Sequence, residues 1–262
     1  MKAAIRMISI ATAFFWIFLA AFTISAVYSF VKDVRLNFGE LETPTNLTEE
    51  NEVVLCLPIT VENKGLFNIG SFNITTEISD FEGFVIACGN TFIPVIGRNT
   101  FITIRHNVTV NVAELFQENT NLIFNDTTFT LYEAVGMSVA EAIPFTASTN
   151  ITFPWGAPLY NLEIGEPEYV AVNRTHTLIR TPINFENHAF FDIIGNLSTR
   201  MYDFENVMIG ETQTVIEAPS QTVYSGYAEI CVKNTVLPSV RRFEFYFQTP
   251  VFNVKIGEVN ID

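Results

Sequence analysis

The residues with the most versatile chemistry in this chain are 3 histidines and 28 carboxylates, and their spacing decides what they can do. A hydrolytic relay needs a nucleophile, a base and a group that orients the base. His106 falls on the apolar face of an alternating stretch, and His176 lies in a polar run with Arg174. His188 occupies a position where an earlier copy of the same motif has Lys64. None stands in a G-x-S-x-G, H-E-x-x-H or Walker A setting. The sequence therefore supplies no catalytic residue, no cofactor-binding residue and no metal ligand, and the chain reads as non-enzymatic. Glu49, Glu50 and Glu52 with Asn51 form the densest acidic cluster, and Asp80/Glu82 and Asp203/Glu205 recur. None shows the Asp-x-[Asp/Asn]-x spacing that wraps oxygen ligands around one calcium ion, so they read as solvated turns.

Two covalent modifications are open. Cys56 and Cys88 sit in strand-like segments and have no counterparts later in the chain. A disulfide between them in an oxidising exterior is one reading, and buried free thiols are the other. Cys231, in Ile230-Cys231-Val232, reads as core. The glycosylation pattern N-x-[ST] occurs at Asn46, Asn73, Asn107, Asn125, Asn150, Asn173 and Asn196. This is a modest excess for a Thr-rich chain, and where strands alternate these Asn fall on the polar face.

Positioning elements follow from patterning. Residues 7–31 carry no charge, and as a helix they would extend roughly 37 Å, enough to cross a ~30 Å hydrocarbon core. Lys2 and Arg6 precede the stretch, so the positive-inside rule keeps residues 1–32 as a cytoplasmic tip and signal-anchor and sends 33–262 out of the cytoplasm. The competing reading is a signal peptide cleaved after Ala26. The exported part holds 11 basic and 28 acidic residues, a net of −17. Such a surface is repelled by anionic lipid and should stand off the membrane, although the same charge serves solubility. The acidity also excludes nucleic acid as a partner. The bilayer, through residues 7–31, is the partner the sequence names; self-association or a cell-surface partner stays open.

Beyond residue 33 short runs alternate with period two, as in Ile102, Ile104, Val108, Val110 and Val112, which predicts an all-β protein of sandwiches. The chain repeats itself: Leu57-Pro58-Ile59-Thr60-Val61-Glu62-Asn63-Lys64-Gly65-Leu66-Phe67-Asn68-Ile69 matches Thr181-Pro182-Ile183-Asn184-Phe185-Glu186-Asn187-His188-Ala189-Phe190-Phe191-Asp192-Ile193. Two immunoglobulin/fibronectin-like β-sandwich domains follow, 34–157 and 158–262. The first carries an insertion at about 112–147 that reads as helical over Val112–Glu118 and Glu133–Ile143. A shorter element occurs three times, around Gly39-Glu40, Gly165-Glu166 and Gly257-Glu258. The last of these either completes domain two or serves a neighbouring subunit as a donated strand.

The motif Pro-Ile-x-[Val/Phe]-Glu-Asn followed by Phe-[Asn/Asp]-Ile and an acidic turn resembles the LEA type 2 family, the LEA14-like or water-stress and hypersensitive response domain. Asn63 and Asn187 take that family's Asn position, but Lys64 and His188 replace the Pro that often follows it. The resemblance covers about 90 residues of each repeat. It implies tandem sandwiches behind an N-terminal anchor, found in single-pass membrane proteins of prokaryotes and archaea in particular. It also implies a structural, protective or binding role at the cell surface. Two other functions are compatible with the sequence: a lipid or apolar-ligand module, given the 25 Phe, and a surface filament or adhesion subunit assembled through the C-terminal strand.

Overall fold

An uninterrupted apolar stretch in lipid must satisfy its amides internally, and a helix does so within one segment. The computed structural model describes residues 2–42 and 47–261, the first five by backbone alone. In it, helix α1 spans Lys2–Asp33, and Met7–Asp33 is long and apolar enough to cross a membrane. Its surface is exposed all round from Met7 to Ala21; from Phe22 onward one face is covered. No loop follows it. Strand β1 (Val34–Phe38) begins at the next residue.

The rest is β-structure. The first sandwich adds β2 (Glu52–Asn63), β3 (Ile69–Ser79), β4 (Val85–Ile96), β5 (Thr100–Asn111), β6 (Thr127–Val139) and β7 (Ile143–Trp155). The second contains β8 (Tyr160–Ile164), β9 (Glu168–Ala171), β10 (His176–Asn187), β11 (Ile193–Asp203), β12 (Met208–Ala218), β13 (Thr222–Lys233), β14 (Val240–Gln248) and β15 (Asn253–Asn260). Each domain packs three strands against four: β1-β2-β5 over β4-β3-β6-β7, then β8-β10-β13 over β12-β11-β14-β15, with β9 added beside β10. All pairings are antiparallel. This is an all-β chain of two immunoglobulin/fibronectin-like sandwiches behind one membrane-length helix. Its fourth strand joins the second sheet rather than the first, unlike an immunoglobulin constant domain.

Alternation builds the cores. Val53, Leu55, Leu57, Ile59 and Val61 of β2 point inward and are buried. A large apolar cluster runs from one end of the first sandwich through Phe116, Trp155 and Leu159 into Phe191, Phe247 and Phe252 of the second. A smaller one, with Ile59, Val61, Phe72 and Ile74, fills the end of the first sandwich nearest α1.

One expectation is corrected. The 112–147 region is helical only over α2 (Val112–Glu118) and a 3₁₀ turn at Thr120–Ile123. Glu133–Ile143 is not helical: it belongs to β6 and the start of β7. The alternate residues Phe129, Leu131, Glu133, Val135, Met137 and Val139 are all buried, and β6 hydrogen-bonds to a neighbour on either side. The third Gly-Glu element completes domain two, the first of its two readings, but in another place from the other copies. Those lie at the ends of β1 and β8, which open the sandwiches, whereas Gly257-Glu258 lies in β15, which closes the second one against β14. The strand is thus paired within its own chain. A Cβ on Gly257 would come 2.6 Å from Ile164 Cδ1, so the opening and closing strands of this domain pack closely where its two sheets meet.

Candidate functional site

The repeated motif builds a docking turn. Asn63 and Asn187 end β2 and β10, and both are wholly buried. Asn63 Nδ2 donates to the carbonyls of Phe67, Ile96 and Gly97, at 3.0, 3.3 and 3.0 Å, and its Oδ1 accepts from Gly65 N–H. Asn187 does the same with Phe191, Ala218 and Pro219 and with Ala189 N–H. An amide is the side chain that can donate to carbonyls and accept an N–H at once. It pins the turn after its strand to the turn after β4 or β12.

Each pinned turn then grips the element that precedes its domain. Lys64 N–H donates to Asp33 O of α1 at 3.0 Å, and His188 N–H donates to Ala157 O of the linker at 3.0 Å. The Phe67 ring lies 5.4 Å from Phe22, while Phe190 and Phe191 lie 5.6 and 6.4 Å from Trp155.

The joint between the sandwiches is the richest constellation in the chain. His188 Nδ1 lies 2.8 Å from Asp126 Oδ2 of the first domain, and Nε2 lies 3.0 Å from Glu186 Oε2 of the second. Tyr160 stacks on the ring at 4.4 Å. Burial works against a charged imidazole, but the hydrogen bonds and charges of Asp126 and Glu186 outweigh it and raise the His188 pKa. The first domain holds the linker too: Ala157 N–H donates to Asp126 Oδ1 and Leu159 N–H to Ile123 O, both at 2.8 Å. Gly156 is required here, since a Cβ would fall 1.8 Å from His188 O. Beside this latch lies an open cleft of about 510 Å³, with Leu41, Phe153, Trp155 and Phe190 as its apolar wall and Asp126, His188 and Gln221 as polar groups. Clefts of this size accept small ligands.

A second constellation is sealed inside the first sandwich. Thr76 Oγ1 is hydrogen-bonded to Glu133 Oε2 and, at 2.8 Å, to His106 Nε2; His106 Nδ1 lies 2.7 Å from Thr91 Oγ1. Burial lowers the His106 pKa and, against the Thr76 hydrogen bond, raises that of Glu133. With Glu133 neutral, its O–H donates to Thr76, Thr76 to Nε2, and Nδ1–H to Thr91. With Glu133 ionised, Thr76 donates to the carboxylate and Nε2–H to Thr76. The network can therefore be satisfied with Glu133 in either protonation state. Among the described residues Glu133 Oε1 has no partner. Gly89 makes room, because a Cβ there would sit 3.3 Å from His106 Cε1 and 2.7 Å from Val108 Cγ2. The second sandwich lacks the network. By strand register the counterparts of Thr76, His106 and Glu133 are Thr199, Ala228 and Phe245, and Thr199 Oγ1 is left without a partner.

The residues picked out in the sequence do not converge. Cys56 and Cys88 are not bonded: all three cysteines are free. Period-two alternation directs Cys56 to the outer side of one sheet, where Arg105 Nε lies 3.5 Å from its sulfur. It directs Cys88 to the outer side of the other, so the sandwich lies between them. Cys231 is exposed rather than core. Asp80 and Asp203 spend a carboxylate oxygen on backbone amides, of Glu82 and Phe84 and of Glu205 and Val207 respectively. Among the described residues no group of three His, Cys, Asp or Glu could hold a metal ion. Asn107, Asn125, Asn150, Asn173 and Asn196 are exposed and Asn73 is half-buried; Asn46 lies outside the described residues. Glu133 and Asp126 were missed in sequence. An acidic residue in phase with Leu131 and Val135 is the signal that marks Glu133.

Fold and joint together define a tandem β-sandwich protein with a membrane-length N-terminal helix. No protein-family model and no curated protein matches the chain. Among solved structures it is similar to the periplasmic chaperone SfaE (11% identity, TM-score 0.30, covering 86% of this chain and 98% of that one). It is also similar to a Mobiluncus mulieris adhesin with intramolecular disulfide, isopeptide and ester cross-links (10%, 0.33, 84% and 81%). A protein from Archaeoglobus fulgidus covers less of it (14%, 0.31, 45% and 98%).

Proposed function

We propose that the chain is a non-enzymatic, membrane-anchored strut with its two sandwiches outside the cytoplasm, acting structurally or as a binding platform at the cell surface. The observation that carries this reading is the continuity of the column. α1 runs into β1 without a loop, the first sandwich grips α1, and the second grips the linker through the same motif. Retention of the anchor is supported by Ala26, the residue at the alternative cleavage point, which is buried against the folded domain. Lys2 and Arg6 ahead of the apolar stretch support the orientation, and the exposed sequons are compatible with glycans. An LEA type 2-like, archaeal-type assignment is supported by the motif alone, whose Asn is the structural centre of each turn. Spin labels at Phe81→Cys and Phe204→Cys, in a background without the native cysteines, should give one narrow distance distribution. A C-terminal tag should be cut by protease added to intact cells. A broad distribution or a protected tag would overturn the reading.

A second reading, an apolar-ligand module, is favoured by the cleft over Trp155 rather than by the sandwich interiors, where a cavity among Val53, Phe129 and Trp155 measures about 10 Å³. Native mass spectrometry of the extracted protein tests it, since a stoichiometric lipid adduct lost in Phe190→Asp is the expected outcome.

A further inference from the structure

We propose that the first sandwich is seated in the lipid surface, with Leu66, Phe67 and Phe145 entering the bilayer beside α1. The inference rests on the reading of α1 as a membrane span and adds a second contact to it. The turn after β2 follows the helix downward. Lys64 N–H reaches Asp33 O at 3.0 Å, Leu66 N–H reaches Ser29 Oγ at 2.9 Å, and the Phe67 ring meets Phe22 at 5.4 Å. From Asp33 to Phe22 is about 16 Å of helix rise. On the β7 side Phe145 meets Phe30 at 4.9 Å.

Over this same stretch α1 stays apolar and uncovered away from the sandwich: Ile24 is 69% exposed, Tyr28 64% and Val31 75%. Lipid that covers those residues reaches the level of Val31, and the turn lies below that level. The internal repeat supplies an independent comparison. Phe190, the counterpart of Leu66, packs on Trp155 at the joint, while Leu66 is 66% exposed. The same apolar position is covered by protein in one repeat and uncovered in the other, beside the helix that enters the membrane. Lys32, over the Tyr28 ring, and Lys64, paired with Glu62, mark the upper rim at headgroup level. Net charge alone argues for a domain that stands off the bilayer; local apolarity at this end outweighs it, because surface charges act only within about a Debye length.

The test uses the full chain in phosphatidylcholine vesicles, with the native cysteines replaced and single cysteines carrying an environment-sensitive fluorophore at Leu66, Phe145, Phe204 or Ile17. Nitroxide near the headgroup end of the acyl chains should quench the Leu66 and Phe145 probes at least about twofold more than the Phe204 probe. Aqueous iodide should show the reverse order. Iodide quenching of the Leu66 probe equal to that of Phe204 overturns the proposal. So does shielding from both quenchers, which would mean that a second copy covers the turn. The Ile17 probe, read with nitroxide placed deep in the bilayer, separates the two layers of argument. If it is quenched while Leu66 is not, only the seating fails; if it is not quenched, the anchor itself fails. Near-ultraviolet circular dichroism verifies that each labelled chain keeps its packing.

Discussion

Glu133 and His106 have opposite reasons to be neutral, and pH separates them. Unfolded His106 takes up a proton below about pH 6.5 that the folded ring resists. Its contribution to stability is therefore lost as pH falls below that value. Unfolded Glu133 ionises above its ordinary value near 4.5, while the folded carboxyl, raised by burial, keeps its proton longer. Its contribution falls as pH rises from 4.5 through the raised folded pKa. Glu133→Gln is neutral at every pH, so it removes the second dependence and leaves the first. Calorimetry of the solubilised protein should show the Tm difference, variant minus wild type, rising by about 3 °C between pH 4.5 and 8. A difference independent of pH would mean that Glu133 is not held neutral in the fold. His106 on an apolar face was legible in the sequence, but its partners came from β3, β4 and β6, too far apart in the chain for any local pattern to join them.

At the scale of elements, β15 decides between completion and donation. It covers the outer edge of β14, and Val251 and Phe252 just before it are buried, with the Phe252 ring 5.6 Å from Phe116 and 5.7 Å from Phe247. Removing residues 251–262 strips that edge and opens the joint at once. Far-ultraviolet circular dichroism and urea titration of the truncated chain should show the second sandwich unfolded, not a folded monomer defective in assembly. β6 teaches the complementary lesson. Its Tyr132-Glu133-Ala134-Val135-Gly136-Met137 stretch contains good helix formers, and intrinsic propensity is a weak prior that sheet context overrides. The alternation from Phe129 to Val139 was the stronger signal, broken in appearance by one buried acid. Where alternation was clean, as in β2, β5 and β10, strand and face could both be read directly.

For the whole molecule, the joint sets whether the chain behaves as one column. Asp126 and Glu186 raise the His188 pKa, so the protonated latch contributes fully below about pH 6.5 and is lost as pH rises through the folded value. After correction for intrinsic exchange, the Ala157 and Leu159 amides should exchange faster at pH 9 than at pH 6, and His188→Gln should remove most of that difference. Pulsed hydrogen exchange with mass spectrometry reads both; equal corrected rates at the two pH values would mean the latch does not hold the linker. By itself the sequence determined the membrane-length helix, the all-β class and the duplicated turn motif, because each is written in contiguous residues as composition, period or repeat. Tertiary structure alone decided what the motif grips, where β15 belongs, which cysteines face apart and that a carboxyl lies buried beside His106. Those depend on contacts between strands distant in the chain, and burial and charge partners exist only once the sheets have closed.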